Sequence, residues 1–562
     1  MDLRLSFALL LWLALLGIAL FPALTKAEFT ASKWWKTLAS FCLLLAVALP
    51  VWRLRSLLYN GEVNVDESQV LAQAMRYRID PIPWRGVDGG SSGPLNTWII
   101  LWAPLLGLKM DYFAARITGL TCLWAMLCGL TLTLSELVNR RLAMLLALPA
   151  ITLLLTILNF DYLFFSSEQL PIAIMAWVVY ALTLLAKNPS RWIVYVIGFL
   201  TGALPFCKIQ VGPAGVYLWV IAAAIVIYQR KTIREAASLL IPLILGGLSV
   251  PLLILGPVIA AGAWNDFIDL YIKSGLVYKN SPAGTGQTPS NLEIFSQLIT
   301  GIPEFFAFVM AALCSGLALL AWATPHVYKS TRTTHLVLAA IAGFALLLAY
   351  SIYRTGFGFP HYTHLLILPF ALLTAAMGLL LPKTHTLLRP PTPLVVALIA
   401  LPILFQGQCA LKEIASHRPL LADWGPGVHP IADILKKYAT PTDTMFVWGY
   451  APKYHAFSGI PPASRFLQSV GFLGLTPEVQ AEPRGNFQRL LADLHQYQPT
   501  LFVDAPDEFW FPSLNVPRGN LARHTTVKPV AQFISDNYQL ILQINMDPQK
   551  VPILIYKRKP EL

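Results

Sequence analysis

The chain has 562 residues, of which 56% are hydrophobic and only 12% are charged. Soluble proteins carry about twice that share of charged residues, so the composition excludes a water-soluble fold. The formal charge of +12 does not indicate a nucleic-acid partner, because the basic residues are spread through short loops between apolar runs. The six cysteines lie in or beside those runs without metal-ligand spacing, and we interpret them as core residues.

Apolar runs of the length that spans a bilayer recur from the N-terminus to about Leu411. The first, Leu3 to Leu24, lacks the basic start and the cleavage site of a signal peptide, so we expect a retained helix. The runs predict about twelve transmembrane helices, near residues 4–24, 37–54, 113–134, 142–159, 169–186, 192–208, 213–228, 237–261, 302–324, 334–352, 363–381 and 391–409.

The distribution of lysine and arginine predicts the orientation of these spans. Basic residues concentrate in alternate connections, which we assign to the cytoplasm: Lys26, Lys33 and Lys36; Arg140 and Arg141; Lys187 and Arg191; Arg230, Lys231 and Arg234; Lys329 and Arg332; Lys383 and Arg389. Both termini and the loop at about 55–112 then face outward. This predicts a multi-pass plasma-membrane protein, most simply of the bacterial inner membrane, with a periplasmic C-terminal domain.

Charged residues become frequent after Leu411, which divides the chain into a membrane domain, 1–411, and a soluble domain, 412–562. In the second part, "HPIADILKKY" and "NFQRLLADLHQY" have helical periodicity, whereas "TMFVWGY", "PTLFVD" and "VPILIYKR" are typical of strands. The sequence thus predicts an α-helical polytopic membrane protein with a small extracytoplasmic α/β domain.

The first outer loop carries the most informative polar residues. Asp66 and Glu67 follow a predicted span closely, where an adjacent acidic pair is costly near the bilayer. Two interpretations stay open: a helix cap, or a general base or metal ligand at the membrane face. Further along, Gly93-Pro94-Leu95 opens a run from Asn96 to Leu106 that is too short to span, so we expect it to lie along the membrane interface.

These features together resemble a known family. Asp66-Glu67, the Pro-Leu-x-x-Trp run that ends at Trp98, the many-helix body, "PHY" (360–362) and "VWGYAPKYHAFSGIPPASRF" are similar to the GT-C membrane glycosyltransferases. Within that fold they resemble glycosyltransferase family 39, which includes the dolichyl-phosphate-mannose protein mannosyltransferases and the aminoarabinose transferases.

The resemblance implies an inverting transfer of a sugar from a polyprenyl-phosphate carrier to an acceptor on the outer face. Asp66 would match the family's acidic catalytic residue, with Glu67 as its neighbour. The second acidic position would be Asp161 or Glu168 in "NFDYLFFSSEQL", with Asp161 preferred because it lies closer to the loop centre. A divalent cation at Asp66 and Glu67, with Asp161, stays open, and so does the acceptor, whether lipid, glycan or protein.

The chain departs from the family at one place. Relatives commonly have Lys-Pro-Pro-Leu where this chain has Ser92-Gly93-Pro94-Leu95, so the lysine expected to hold the lipid phosphate is missing. Lys208 and Arg354 are the replacement cations that we expect at the depth of a lipid phosphate, although a lysine at a helix end more often only extends toward the headgroups. The remaining expected binding residues are Gln210, His361, Tyr362, Pro94 and Leu95.

Three other functions are compatible with this layout. A secondary transporter or flippase of lipid-linked sugars would need ionisable residues near mid-membrane and two related halves. A surface-polysaccharide ligase or polymerase would share the lipid donor but transfer a whole oligosaccharide. A non-catalytic receptor would leave the acidic loop unexplained.

Overall fold

The computed structural model describes most of the chain, namely residues 3–25, 30–90, 92–138, 140–277, 291–323, 332–353, 358–378, 392–416, 429–467, 486–506, 523–545 and 551–560. Arg354, one of the two predicted replacement cations, lies outside the described residues.

The chain forms two compact units. The first, which we call the helical unit, comprises Met1–Tyr59, Arg116–Leu252 and Pro289–Trp424. The second, the mixed unit, comprises Asn60–Ala115, Leu253–Thr288 and Gly425–Leu562. The first outer loop and the segment after residue 252 therefore group with the C-terminal part of the chain. The predicted division at residues 411 and 412 stays a prediction.

The helices of the described residues are numbered here in chain order: α1 Leu3–Leu24, α2 Ala31–Trp52, α3 Leu54–Leu58, α4 Val65–Tyr77, α5 Pro94–Trp98, α6 Trp102–Leu105, α7 Tyr112–Leu137, α8 Ala143–Thr156, α9 Gln169–Lys187, α10 Arg191–Cys207, α11 Gly212–Gln229, α12 Ile233–Ala260, α13 Trp264–Phe267, α14 Ser274–Val277, α15 Asn291–Thr300, α16 Pro303–Ala323, α17 Arg332–Tyr353, α18 His364–Gly378, α19 Pro393–Ser416, α20 Pro430–Leu435, α21 Lys453–Ser458, α22 Asn486–Tyr497 and α23 Lys528–Asn537. A π-helical segment, Ile268–Lys273, joins α13 to α14. Short 3-10 turns occur at Phe160–Tyr162, Ile209–Val211, Pro360–Thr363 and His524–Thr526.

Every predicted span coincides with an α-helix in the structure. Among the described residues, eight helices are long and apolar enough to cross a membrane, and α8, α10 and α19 contribute shorter apolar segments. The protein is therefore a polytopic helical membrane protein, as the sequence predicts. Helix α18 occupies the predicted span at 363–381, although the described residues end at 378.

The apolar helices differ in what surrounds them. All residues of α8 are buried, which places this helix in the centre of the helical unit. By contrast, α1, α12 and α17 expose large side chains such as Leu10, Leu253 and Leu346. Extended exposed apolar surface is unfavourable in water and favourable in a bilayer. These faces are consequently the lipid-facing surface.

Contacts in the helical unit show at which of its two ends each segment between successive membrane helices lies. At one end, Arg141 donates to the Thr25 carbonyl at 2.6 Å, and Lys187 forms an ion pair with Glu136. At the other end, Arg53 donates to the carbonyls of Leu154 and Ile157. The connections after α1, α7 and α9 therefore meet at one end, and those after α2 and α8 at the other. This is the alternation on which the predicted orientation depends.

The C-terminal residues contain a four-stranded sheet in the order β1-β2-β4-β3, with β1 Met445–Gly449, β2 Leu501–Ala505, β3 Tyr538–Ile544 and β4 Ile553–Arg558. β1 and β2 are parallel, and the other pairs are antiparallel. Ile431, Leu435 and Tyr454 from α20 and α21 pack with Val447 and Val503 in one buried core. The small α/β domain is thus confirmed.

The run from Asn96 to Leu106 is not one helix. It consists of α5 and α6, separated by a turn. Pro104 lacks the N–H that would donate to Ile100 in a continuous helix, which accounts for the break. Leu105 and Leu106, at 84% and 71% exposed, give this part of the mixed unit an apolar tip. Its position along the membrane interface stays a prediction.

Candidate active site

Residues of three connections meet at one end of the helical unit. Glu168, at the start of α9, is fully buried and forms an ion pair with Lys208, which directly follows α10 and is 4% exposed. The Lys208 ammonium group also donates to the Ser167 hydroxyl at 2.7 Å. It lies 5.0 Å from the ring centroid of Tyr362 in the third connection. The structure therefore brings together Lys208 and Tyr362, two of the predicted binding residues.

The ion pair determines the charge state of Glu168. Burial alone would raise the pKa of this carboxyl group. The Lys208 ammonium group, with an electrostatic contribution from His361, outweighs that effect and lowers the pKa to about 2. Glu168 is thus ionised throughout the physiological range, and the charge of Lys208 already has a carboxylate partner. A phosphate contact by Lys208 would have to compete with this pair.

Asp161 lies in the same cluster of connections. The Nδ1 atom of His361 is 3.4 Å from Oδ2 of Asp161, and both side chains are buried. The backbone N–H of Asp161 donates to the side chain of Asn159, which fixes the 3-10 turn at Phe160–Tyr162. The preferred acidic position and the predicted His361 are therefore neighbours.

Aromatic rings hold this cluster. The His361 ring stacks on Phe359 at 5.5 Å and meets the Phe164 edge at 5.8 Å. The hydroxyl of Tyr162 is hydrogen-bonded to that of Thr363. Gln210 lies in the 3-10 turn after Lys208, and its buried Oε1 atom has no hydrogen-bond partner among the described residues.

Two further residues of this end were absent from the sequence prediction, His364 and Glu304. His364, which starts α18, is fully buried, and its Nδ1 atom is 2.8 Å from the His361 carbonyl. Glu304, near the start of α16, accepts a hydrogen bond from the Leu158 N–H at 3.2 Å. Glu304 could have been selected from the sequence, because it is an acidic residue in the first turn of an apolar span. His364 could not, because nothing in the sequence distinguishes it from an interfacial histidine.

The remaining predicted residues belong to the mixed unit. Asn64 caps α4 by accepting from the Asp66 N–H at 3.0 Å, so Asp66 and Glu67 occupy the first helical turn, where the helix dipole favours acids. The Asp66 side chain is half-buried, whereas Glu67 is fully buried. Of the two side chains, only that of Asp66 is therefore accessible to solvent. The cap geometry that the sequence left open is present, and it is compatible with a further role for Asp66.

Pro94 and Leu95 begin α5. Gly93 caps this helix, and Pro94 occupies its first position, where a missing N–H has no cost. Before it, Gly89 and Gly90 adopt positive φ angles that suit glycine. The loop is further fixed by Arg76, whose Nε atom donates to the Gly86 carbonyl at 3.1 Å.

A metal site needs several converging ligands. In the described parts of the chain, no group of three or more His, Cys, Asp or Glu side chains converges in this way. The predicted divalent cation therefore stays a prediction.

No protein-family model matches this chain, and no curated protein does. Among solved structures, it is similar to the crystal structure of ArnT from Cupriavidus metallidurans bound to undecaprenyl phosphate, at 14% identity and a TM-score of 0.41, over 94% of this chain and 98% of that chain. A second similarity is to the same protein in the apo state, at 15% identity and a TM-score of 0.33, over 92% and 98% of the two chains.

Identity at this level does not carry residue roles from one chain to the other. What the residues of this chain can do chemically therefore depends on their own surroundings. In the helical unit these are a buried acid–base cluster at one end of the membrane helices. In the mixed unit they are an acidic helix start with one half-buried carboxylate.

Proposed function

We propose that this protein is a membrane glycosyltransferase that moves a sugar from a polyprenyl-phosphate donor to an acceptor on the outer face of the membrane. The observation that carries the proposal is the buried cluster of Glu168, Lys208, Asp161 and His361 at the ends of membrane helices. Ionisable side chains that are buried in the protein are costly, and they are enriched at functional sites.

The proposed chemistry is a single displacement with Asp66 as the base. The acceptor oxygen or nitrogen attacks C1 of the sugar, and the Asp66 carboxylate takes its proton. The bond between C1 and the phosphate oxygen breaks, and the polyprenyl phosphate leaves with the bonding electron pair. The configuration at C1 is inverted because attack and departure occur on opposite faces. A positioned base contributes about 10²–10⁴-fold to such a step.

The chemistry of the leaving polyprenyl phosphate determines the roles of the residues other than Asp66. A phosphate departs as a stabilised anion, so it needs positive charge and hydrogen-bond donors more than a strong acid. In the proposal, Asp161 orients His361, and Glu168 fixes the position of Lys208. Tyr362 and Gln210 contact the donor, as do Pro94 and Leu95 through the loop that they begin. Arg354 keeps its predicted role as a phosphate cation.

The position of ionisable residues favours this function over a transporter or flippase. In the described membrane helices, the acidic and basic residues lie near the helix ends, as Arg116, Glu136 and Lys187 do. A transporter that couples ions to substrate would place such residues near mid-membrane. A polysaccharide ligase or polymerase would share the lipid donor. It would differ from the proposed enzyme in transferring a whole oligosaccharide instead of one sugar.

Replacing Asp66 with Asn tests the proposed base. We expect the rate of sugar transfer to fall about 10²–10⁴-fold, because the amide cannot accept the proton. Asp111→Asn is the matched control: Asp111 caps α7 by accepting from the Ala114 N–H at 3.0 Å, and Asn caps helices equally well. Transfer by Asp66→Asn at the rate of the control would remove Asp66 as the base.

A further inference from the structure

Helix α4, which carries the proposed base Asp66, is in contact with the small α/β domain inside the mixed unit. The hydroxyl group of Tyr450 donates a hydrogen bond to Oε1 of Gln69. Gln69 lies three positions after Asp66, so the two side chains share one face of the helix and are one turn apart. A side chain of the small α/β domain is therefore attached one helical turn from the proposed base.

A second contact reaches the start of the same helix. Phe457, on α21, packs on the ring of Tyr112, with 5.4 Å between the ring centroids. The Tyr112 hydroxyl group is 2.8 Å from that of Ser68, which also donates to the Glu62 carboxylate. Ser68 is fully buried. The first turns of α4 are thus connected to the small α/β domain both directly and through Tyr112.

The small α/β domain also contacts the last turn of α4. The guanidinium carbon of Arg76 lies 3.8 Å from the ring centroid of Tyr497, the last residue of α22. Arg76 is fully buried, and an arginine at this distance from a ring makes a favourable cation–π contact. Since α4 is held near both ends, it cannot rotate or tilt without losing contacts to the small α/β domain.

The sheet gives Tyr450 a firm position. Tyr450 directly follows β1, in which Gly449 pairs with Ala505 of the parallel strand β2. The Tyr450 side chain is itself buried. A residue on a rigid element holds its partner more precisely than a residue in a loop does. The hydrogen bond to Gln69 therefore transmits the position of the sheet to α4.

The place of this hydrogen bond on the helix points to a use beyond stability. From Glu67 to Tyr77, Gln69 is the one residue of α4 that is not buried. Tyr450 thus contacts the partly exposed face on which Asp66 lies. A base must be within hydrogen-bond reach of the group that it deprotonates, and a misplacement of about 1 Å can cost about 10²-fold in rate. A contact that only stabilised the helix could lie anywhere along it.

We propose that Tyr450 is a positioning residue, through which the small α/β domain fixes Gln69 and thereby the orientation of Asp66 toward the acceptor. The role of Asp66 as base rests on the proposed function, whereas the attachment of α4 rests on the contacts themselves. The small α/β domain then acts on the chemical step and not on the binding of either substrate.

The first test compares the transfer rates of Tyr450→Phe and Tyr538→Phe in the full-length protein. Tyr538 is the matched control, because it is a buried tyrosine of the same sheet whose hydroxyl group donates to the Pro499 carbonyl at 2.7 Å. The probes are radiolabelled undecaprenyl-phosphate mannose and undecaprenyl-phosphate aminoarabinose, with membranes as the source of acceptor.

We expect the maximum rate to fall about 2–10-fold in Tyr450→Phe, which is the effect of one lost hydrogen bond. The donor and membrane concentrations that give half the maximum rate should not change. Tyr538→Phe should keep the full rate. Tyr450→Phe should have no further effect in an Asp66→Asn background, because the residual transfer there does not use the carboxylate.

The second test measures the attachment of α4 without any substrate. Amide hydrogen exchange in peptides of residues 65–77 should be faster in Tyr450→Phe and in Gln69→Ala, but not in Tyr538→Phe. The double variant of Tyr450 and Gln69 should transfer sugar no more slowly than the slower single variant, because both changes remove the same hydrogen bond.

The outcomes separate this inference from the proposed function. A normal maximum rate in Tyr450→Phe would overturn the inference, and so would an equal fall in Tyr538→Phe. A weaker dependence on donor or membranes at an unchanged maximum rate would show substrate binding by Tyr450, which also contradicts positioning. Retained transfer in Asp66→Asn would refute the proposed base, whatever the exchange of α4 shows.

Discussion

At the scale of single residues, Glu168 has the most informative surroundings. A fully buried carboxylate is stable only with partners, and here the partner is an equally buried lysine. The sequence analysis prefers Asp161 to Glu168 because Asp161 lies closer to the loop centre, but position within a loop does not show which side chain is buried. The structure puts both acids in the same cluster of connections, each beside a different basic side chain, Lys208 or His361.

The coupling of Glu168 and Lys208 can be measured with a double-mutant cycle. Glu168→Gln leaves a buried ammonium group without its carboxylate, which should cost about 3–5 kcal/mol of unfolding free energy. Lys208→Gln should cost a similar amount of unfolding free energy, because it leaves the buried Glu168 carboxylate without its ammonium partner. The double variant should lose clearly less than the sum of the two, as measured by unfolding of the detergent-solubilised protein. Simple additivity would show that the two side chains are not coupled.

Asp88 predicts a pH dependence of stability in the mixed unit. Burial raises the pKa of this carboxyl group to about 7 from an ordinary value of 3.8, although the Gly89 N–H and Arg465 act in the opposite direction. The folded state therefore holds a proton that the unfolded state releases. The contribution of this carboxyl group to the free energy of unfolding is fully present below about pH 4 and is lost as the pH rises through about 7.

Asp88→Asn should abolish that loss. Thermal unfolding from pH 5 to pH 8 should decline less steeply in the variant, which should be the more stable protein at pH 8. Asp433→Asn is the control, because Asp433 is about half exposed in a surface pair with Lys436. Equal slopes in Asp88→Asn and the unmodified protein would contradict the assignment.

At the scale of elements, the long apolar helices could be predicted because their signal is length and composition alone. Three of the four strands were also predicted, as each has β-branched or aromatic residues between turn residues. β3 was missed because it follows α23 directly at Tyr538, without a Gly or Pro to mark the change. The Asn96 to Leu106 run was predicted as one element, although Pro104 interrupts it.

The buried site was harder to predict than the helices. Asp161, Lys208 and His361 could be selected by their polarity at helix ends. Their pairing could not, because Glu168 and Lys208 are joined by tertiary packing across 40 positions of sequence.

Ion pairs join separate elements within the mixed unit. Arg465 pairs with the buried Asp493 of α22 at 2.8 Å and with Asp266 of α13 at 3.2 Å. Arg489, also on α22, pairs with Asp266 at 2.8 Å and with Asp269 at 2.7 Å. The segment after α12 is thereby attached to the C-terminal part of the chain.

Removing Asp493 should weaken this attachment. Asp493→Asn leaves the Arg465 guanidinium with less compensating charge, and we expect a loss of about 3–5 kcal/mol in unfolding free energy. Asp433→Asn should change it by about 0.5 kcal/mol or less, since exposed pairs contribute little. Limited proteolysis should cut the segment of residues 264–277 faster in Asp493→Asn only. Equal unfolding of the two variants would exclude the attachment.

At the scale of the whole molecule, the layout follows from the lipid environment. The twelve spans predicted from the sequence are more than a soluble donor would need, whereas a polyprenyl chain requires apolar surface next to a polar end. The contacts at the two ends of the helical unit separate one set of connections from the other. The proposed donor residues all belong to one set, which the positive-inside rule assigns to the outer face.

The measurement that tests the central proposal most directly is transfer of label from a lipid. Membranes containing the protein are incubated with radiolabelled polyprenyl-phosphate sugars, and the molecule that acquires label is isolated. We expect label in an acceptor, release of polyprenyl phosphate, and loss of both in Asp66→Asn but not in Asp111→Asn. Movement of intact labelled lipid across the bilayer, without any labelled acceptor, would contradict the proposal and favour a flippase.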